Sequence, residues 1–173
     1  MNPNLQPQAS WGTTMTTHKA LLDWVGEMTR LCQPDQVVWC DGSEQEKRRL
    51  TEEAVATGVL LPLNQKKRPG CYLHRSSPND VARVEHLTFI CTPTKEEAGP
   101  TNHWMAPDEA YAKLRKLFDG AMRGRTMYVI PYVMGPLGSP FSKIGVELTD
   151  SIYVVLSMRI MTRMGKQALD MLG

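Results

Sequence analysis

Apolar positions recur along this chain with two different periods, and the changes between them mark its elements. Leu21, Leu22, Val25, Met28 and Leu31 follow the three- and four-residue spacing of a helix face, with Trp24 beside them. Thr17 is placed to cap that helix, because its hydroxyl can accept from a free first-turn amide. Pro34 sets the other end, since a residue before proline is pushed out of the helical region. Val37 to Cys40 is a short buried-strand pattern closed by an Asp41–Gly42 turn. Ser43 stands three residues before Glu46, the capping-box spacing in which each side chain satisfies a free amide, so a second helix is predicted to about Thr57, stopped by Gly58.

Tyr72 and Leu73 open another short strand, and Thr92 to Asn102, with Pro93, Gly99 and Pro100, reads as a loop. Pro107, followed by Asp108 and Glu109, predicts a helix first turn. Ala110, Leu114, Leu117 and Phe118 make its apolar stripe, and Gly120 closes it. Thr126 to Val133 is a continuous apolar run, Gly135, Pro136, Gly138 and Pro140 punctuate a turn, and Lys143 to Thr149 alternates. A long apolar segment with a basic end then runs from Ser151 to Lys166; Tyr153 to Val155 suits strand or helix equally by propensity.

Neither an internal repeat nor a clear linker appears, which predicts one α/β unit over 17–173 behind a loosely held, polar leader at 1–16. A chain of 173 residues with 42% apolar side chains can bury a sizeable core. The net charge of +2 is too small and dispersed to predict nucleic acid or an anionic membrane as partner. Cys32, Cys40, Cys71 and Cys91 lack C-x-x-C spacing and read as reduced thiols of a cytoplasmic protein, with zinc as the weaker alternative. No apolar run approaches the roughly 20 residues of a bilayer span.

Chemistry is sparse. If Val81 to Leu87 is extended, the two-residue period puts Arg83 and Glu85 on one face and Ala82 and Val84 on the other. A guanidinium presents a planar fork that matches a carboxylate or phosphate, which makes Arg83 the first candidate. The competing reading is a surface ion pair worth roughly 0 to 1 kcal/mol. The segment GPLGSPFSK resembles a phosphate loop superficially but lacks the glycine before Lys143 and the hydroxyl residue after it, so it reads as a rigid turn. Lys66, Lys67 and Arg68 read as a solvated loop ahead of a phosphate site. His18, His74, His86 and His103 are scattered without ligand spacing, and Met158, Met161 and Met164 read as packing.

The words GRTMYVIP, MGPLGSP, KIGVELTDS and SMRIMTRMG, with VVWCDGS, YLHRS, DVARVE and AGPTNHWM upstream, stand in one order from about Lys19 to Gly165. In this the chain resembles the amino-terminal part of GTP-dependent phosphoenolpyruvate carboxykinases. Val133 stands where such enzymes usually carry a small hydroxyl residue, and His74 where a small residue is more usual. The resemblance implies a mixed sheet flanked by helices, the amino-terminal domain of the carboxykinase fold. It also implies a helix from Ser151, with Val154, Val155, Met158 and Met161 facing inward. Arg83, in the DVAR word, would grip the carboxylate of oxaloacetate or phosphoenolpyruvate, with Glu85 near an active-site lid as the weaker candidate. The activity implied is conversion of oxaloacetate and GTP to phosphoenolpyruvate, carbon dioxide and GDP, in gluconeogenesis, by a protein that is monomeric when complete. Mn2+, Mg2+ as the GTP complex, and the nucleotide loop would be held by residues beyond 173, so the piece alone is expected to be inactive. The alternative is a truncated, non-catalytic homologue that binds a small carboxylate or a protein.

Overall fold

The computed structural model describes residues 10–79 and 84–172. Its sheet is organised on β5 (Thr126–Val133), the apolar run, whose two faces both enter the core. β2 (Gln36–Trp39) pairs with it in parallel and β6 (Ile144–Thr149) antiparallel, so the sheet is mixed. β1 (Ser10–Trp11), inside the expected leader, pairs in parallel with β2, and Gly12 N–H donates to the Val37 carbonyl at 2.9 Å. β7 (Arg163–Met164) pairs antiparallel with the end of β5. A separate two-stranded hairpin joins β3 (Leu61–Pro62) to β4 (Tyr72–Leu73) and carries Lys66, Lys67 and Arg68, all exposed, between its strands.

Alternation along β5 creates two cores, one on each face of the sheet. Met127 and Val129 pack with Val37 and Trp39 against α1 (Lys19–Cys32), through Leu21, Val25 and Cys32, and against Leu169 of α5 (Lys166–Leu169). Tyr128 and Ile130 pack on the other face with Leu50 and Ala54 of α2 (Glu44–Ala56) and with Ile152, Val155 and Met158 of α4 (Ile152–Met161). The result is a mixed sheet between helices, as expected. Val133 is wholly buried where β5 meets β6 and β7, a place that suits its apolar side chain.

Helix ends follow local chemistry. α1 is capped one residue later than predicted: His18 Nδ1, in place of Thr17, accepts from Leu21 N–H at 3.3 Å, and Thr16 Oγ1 accepts from His18 N–H. The helix stops at Gln33, which is left-handed (φ 55°), directly before Pro34. α3 (Pro107–Phe118) begins at the predicted proline, but only Ala110 of its apolar stripe is buried; Leu114, Leu117 and Phe118 are exposed. An apolar period reveals which face could be covered, and the described residues do not cover this one.

The last predicted helix is divided. α4 is capped by Ser151, whose Oγ accepts from Val154 N–H, and ends at Met161, which is exposed instead of facing inward. Extended backbone at Thr162 then feeds β7, and Gly165 (φ 98°) turns the chain into α5. The cause is a crossing of two backbones. Gly165 N–H donates to the Pro131 carbonyl at 2.8 Å, and Lys166 N–H donates to the Asp41 carbonyl at 3.0 Å. A Cβ on Gly165 would overlap the Asp41 carbonyl, and one on Gly42 (φ 77°) would overlap that of Met164. Pro131 is tolerated within β5 because β2 pairs only as far as Val129 and β7 begins at Tyr132, leaving no ladder amide for it to supply between them.

Gly165→Ala is therefore expected to lower stability by about 2–4 kcal/mol, combining backbone strain with overlap. In a thermal melt this is a fall of roughly 5–15 °C. Gly58→Ala is the control, because Gly58 has a similar φ of 74° but open space around it. It should lose only about 1 kcal/mol. Equal losses for the two would mean that the crossing is not tight.

Candidate functional site

The segment that bears the predicted ligand runs from β4 toward α3. Arg83, with Val81 and Ala82, lies outside the described residues. Glu85 begins a 3-10 turn (Glu85–Leu87) and is exposed, so the strand expected up to Leu87 is not continuous. The Glu85 carbonyl accepts from Thr88 N–H at 3.1 Å, and Thr88 Oγ1 donates to the Val84 carbonyl at 3.1 Å; these local bonds compete successfully with extended pairing.

Both flanks of this segment are tied to the body. On the entry side, the His74 ring stacks on Tyr153 of α4, with centroids 3.8 Å apart, and His74 Nδ1 bonds the Val59 carbonyl at 2.8 Å. That geometry makes His74 a packing residue and requires a proton on Nδ1. On the exit side, Ile90 forms a bridge with Trp104: Ile90 N–H donates to the His103 carbonyl and Met105 N–H to the Ile90 carbonyl. Trp104 Nε1–H donates to the Thr92 carbonyl at 2.9 Å, and Lys113 of α3 lies over Phe89. Arg115 of α3 pairs with Glu27 of α1 at 2.8 Å, which ties this layer to the sheet.

The glycine-proline turn between β5 and β6 is held from two sides. Arg163 Nη1 donates to the carbonyls of Met134 (3.1 Å) and Gly135 (3.2 Å), and Ser142 Oγ donates to the Pro136 carbonyl at 2.9 Å. A Cβ at Gly135 would overlap the Ser142 hydroxyl. These contacts commit the carbonyls of Met134, Gly135 and Pro136 within the turn.

Sequence reasoning missed the polar cluster at the crossing, in which Glu46 and Arg159 are largely buried while Asp41 and Glu44 reach solvent. Ser43 Oγ accepts from Glu46 N–H at 3.1 Å, the predicted half of the capping box. The returning half is shifted: the Glu46 carboxylate accepts from Asp41 N–H (3.1 Å) and Gly42 N–H (2.9 Å), while Ser43 N–H goes to Asp41 Oδ1. Arg159 of α4 completes the cluster, donating to Glu44 at 3.0 Å and lying 3.7 Å from Glu46. Its position seven residues after Ile152 on a mostly apolar helix was the available signal. Burial raises the Glu46 carboxyl above its usual 4.5, opposed by the Gly42 amide. Burial also acts upward on Asp41, but the hydrogen bonds from Ser43 and the Arg159 charge bring it below 3.8. Burial, reinforced by the Glu46 charge, pushes the Cys40 thiol far up, so it is not a nucleophile.

An open hollow of about 470 Å³ lined by Thr14 to Thr17, Leu169 and Asp170 contains no cation and so does not suit a small dianion. All four cysteines are free thiols. Among the described residues no three His, Cys, Asp or Glu side chains come together to hold a metal ion. None of the described helices is long and apolar enough to cross a membrane.

What these residues define is a mixed-sheet α/β domain with a locked crossing, a tied turn and a strap anchored at both flanks. Residues 23–173 match the family described as Phosphoenolpyruvate carboxykinase N-terminal domain, and the chain belongs to that family. It is 68% identical over 158 residues to a phosphoenolpyruvate carboxykinase [GTP] of Anaeromyxobacter dehalogenans strain 2CP-C, covering 91% of this chain and 26% of the relative. Proteins of the same name from Corynebacterium kroppenstedtii (55% over 162 residues, 94% of this chain, 26% of the relative) and Chlamydia trachomatis serovar D (57% over 157 residues, 91% and 26%) are also similar. The chain thus spans about a quarter of the length of these relatives, at their amino-terminal end.

The cluster's charge states predict a pH dependence. Between 4.5 and the raised value for Glu46, the native protein holds more protons at this site than the unfolded chain. Stability of the wild type relative to Glu46→Gln should therefore fall as pH climbs through that window. The lowered Asp41 acts in the opposite sense: its contribution is present above 3.8 and is lost as pH falls through its folded value. Urea unfolding of both variants from about pH 4 to about pH 8 checks this; a difference independent of pH would contradict the raised Glu46 value.

Proposed function

We propose that this chain supplies the amino-terminal, carboxylate-binding part of a GTP-dependent phosphoenolpyruvate carboxykinase. The observation that supports this most is the 68% identity to a protein of that name over 91% of the chain. The complete enzyme would convert oxaloacetate and GTP into phosphoenolpyruvate, carbon dioxide and GDP, a lyase reaction of gluconeogenesis. It would work as a cytoplasmic monomer.

Arg83 is the residue assigned to the substrate carboxylate. Its charge persists through the physiological range, and two parallel hydrogen bonds would fix the orientation of a small dianion. Glu85, exposed two residues later, is the second candidate, placed to act at a lid. The bound divalent metal, Mn2+ with Mg2+ carried by GTP, would supply charge neutralisation in the full-length enzyme. Neither metal nor nucleotide is assigned to residues of this chain. What the chain would contribute is positioning: the described residues on either side are anchored at His74 and at Ile90–Trp104.

The test uses a full-length enzyme made by joining this chain to the remainder of the Anaeromyxobacter dehalogenans relative. Arg83→Ala should raise the KM for oxaloacetate or phosphoenolpyruvate and lower kcat/KM by about 100-fold, the loss typical of removing one partner of a desolvated charge pair. An unchanged KM would remove Arg83 from the site. In the chain alone, calorimetry with Mn2+ and GTP should show no heat of binding; a clear isotherm would contradict the assignment of those ligands to the rest of the enzyme.

A further inference from the structure

α1 is closed at its start by a side chain whose power to accept a hydrogen bond depends on pH. His18 Nδ1 accepts from Leu21 N–H at 3.3 Å, the His18 carbonyl accepts from Leu22 N–H at 3.1 Å, and His18 N–H donates to Thr16 Oγ1 at 3.1 Å. The other helices with a side-chain cap, α2 and α4, use the hydroxyls of Ser43 and Ser151, which accept at any pH. An imidazole nitrogen accepts only while it carries no proton, and imidazole gains its second ring proton within the physiological range of acidity. The neutral ring at this cap therefore carries its proton on Nε2. His74 is the opposite case: its Nδ1 donates to the Val59 carbonyl, a bond that survives protonation of the ring.

The surroundings do not compensate a cation at this cap. The first turns of α2 and α3 carry acids, Glu44 with Glu46 and Asp108 with Glu109, whereas that of α1 carries none. A positive ring there also opposes the positive end of the helix dipole. The charged groups that face the cap are Lys19 and Asp23 on its own helix, bonded to each other, and, from α5 across the hollow lined by Thr14 to Thr17, Asp170, which is bonded to Lys166. Ser10 to Thr17 bring no charge. Both carboxylates thus already have a lysine. We propose that His18 is a pH-sensitive latch: the neutral ring holds the first turn of α1 closed, and a proton on Nδ1 releases that turn, with the stretch from Thr14 to Thr17 that joins it to β1. Val25, wholly buried one turn beyond Leu21, keeps the release local.

Magnetic resonance of the 15N-labelled chain tests the latch in two ways. Ring nitrogen shifts at about pH 8 should show the Nε2–H tautomer for His18, a measurement that needs no substitution. The protection factor of the Leu21 amide, corrected for the intrinsic pH dependence of exchange, should fall about fivefold between about pH 8 and about pH 5, the usual loss on removing a cap. His18→Asn, whose side-chain oxygen accepts at both ends of this range, should keep the protection found at high pH and show no fall. His18→Ala should be weakly protected throughout. An Nδ1–H tautomer at high pH overturns the proposal, and so does Leu21 protection that stays constant across the range. An equal fall in His18→Asn gives the effect to a carboxylate such as Asp23 or Asp170 and overturns it as well.

Discussion

Two backbones cross in this domain with no room for a side chain on either. The turn that ends β2 and the bend that links β7 to α5 meet at Gly42 and Gly165, and each glycine occupies a positive φ that other residues rarely adopt. The contact brings groups far apart in sequence into a shared hydrogen-bond ledger. The Asp41 carbonyl accepts from Lys166 N–H, its amide donates to the Glu46 carboxylate, and its own carboxylate accepts from Ser43 N–H. Gly165 gives its amide to Pro131 of the central strand. Buried backbone polar groups must find partners, and here the partners are each other.

From this crossing the remaining architecture follows. Because the bend at Gly165 sits against β5, α5 returns over one face of the sheet and places Leu169 in the α1-side core. α4 is held over the opposite face, where Arg159 reaches Glu44 and Glu46 at the start of α2. Tyr153, on the same helix, then provides the platform for His74, and through it the entry to the segment carrying Arg83. The sheet is thus the rigid part, and the strap from β4 to α3 is attached at its ends by a stacked ring, a short bridge and an exposed ion pair. Among the described residues, 84–92 of this strap are exposed except for the half-buried Phe89 and Thr92, so that part is held by few buried apolar groups.

Much of this was legible in the residues. The run from Thr126 to Val133 announced the central strand with the bounds that it has, and Ser43 with Glu46 announced the start of α2. Other features were hidden for identifiable reasons. The break after Met161 depends on the distant Asp41–Gly42 turn, and no local propensity at Thr162 or Arg163 encodes it. His18 displaced Thr17 as a cap because an imidazole nitrogen can also accept an amide proton. The exposed stripe of α3 illustrates a different limit: a pattern marks surface fit for burial without naming what covers it. For the candidate site, the family words were readable, while the anchoring by His74 emerged only from the stack on Tyr153.

The crossing is expected to open only when the domain unfolds as a whole. Native-state hydrogen exchange at increasing urea measures this at the amides of Cys40, Gly165 and Lys166, which donate to Val129, Pro131 and Asp41. Their opening free energies should coincide with that of the β5 amides and with global unfolding, whereas those of Leu87 and Thr88 in the strap should be lower. Exchange of Gly165 and Lys166 through a local opening well below the global free energy would contradict the account.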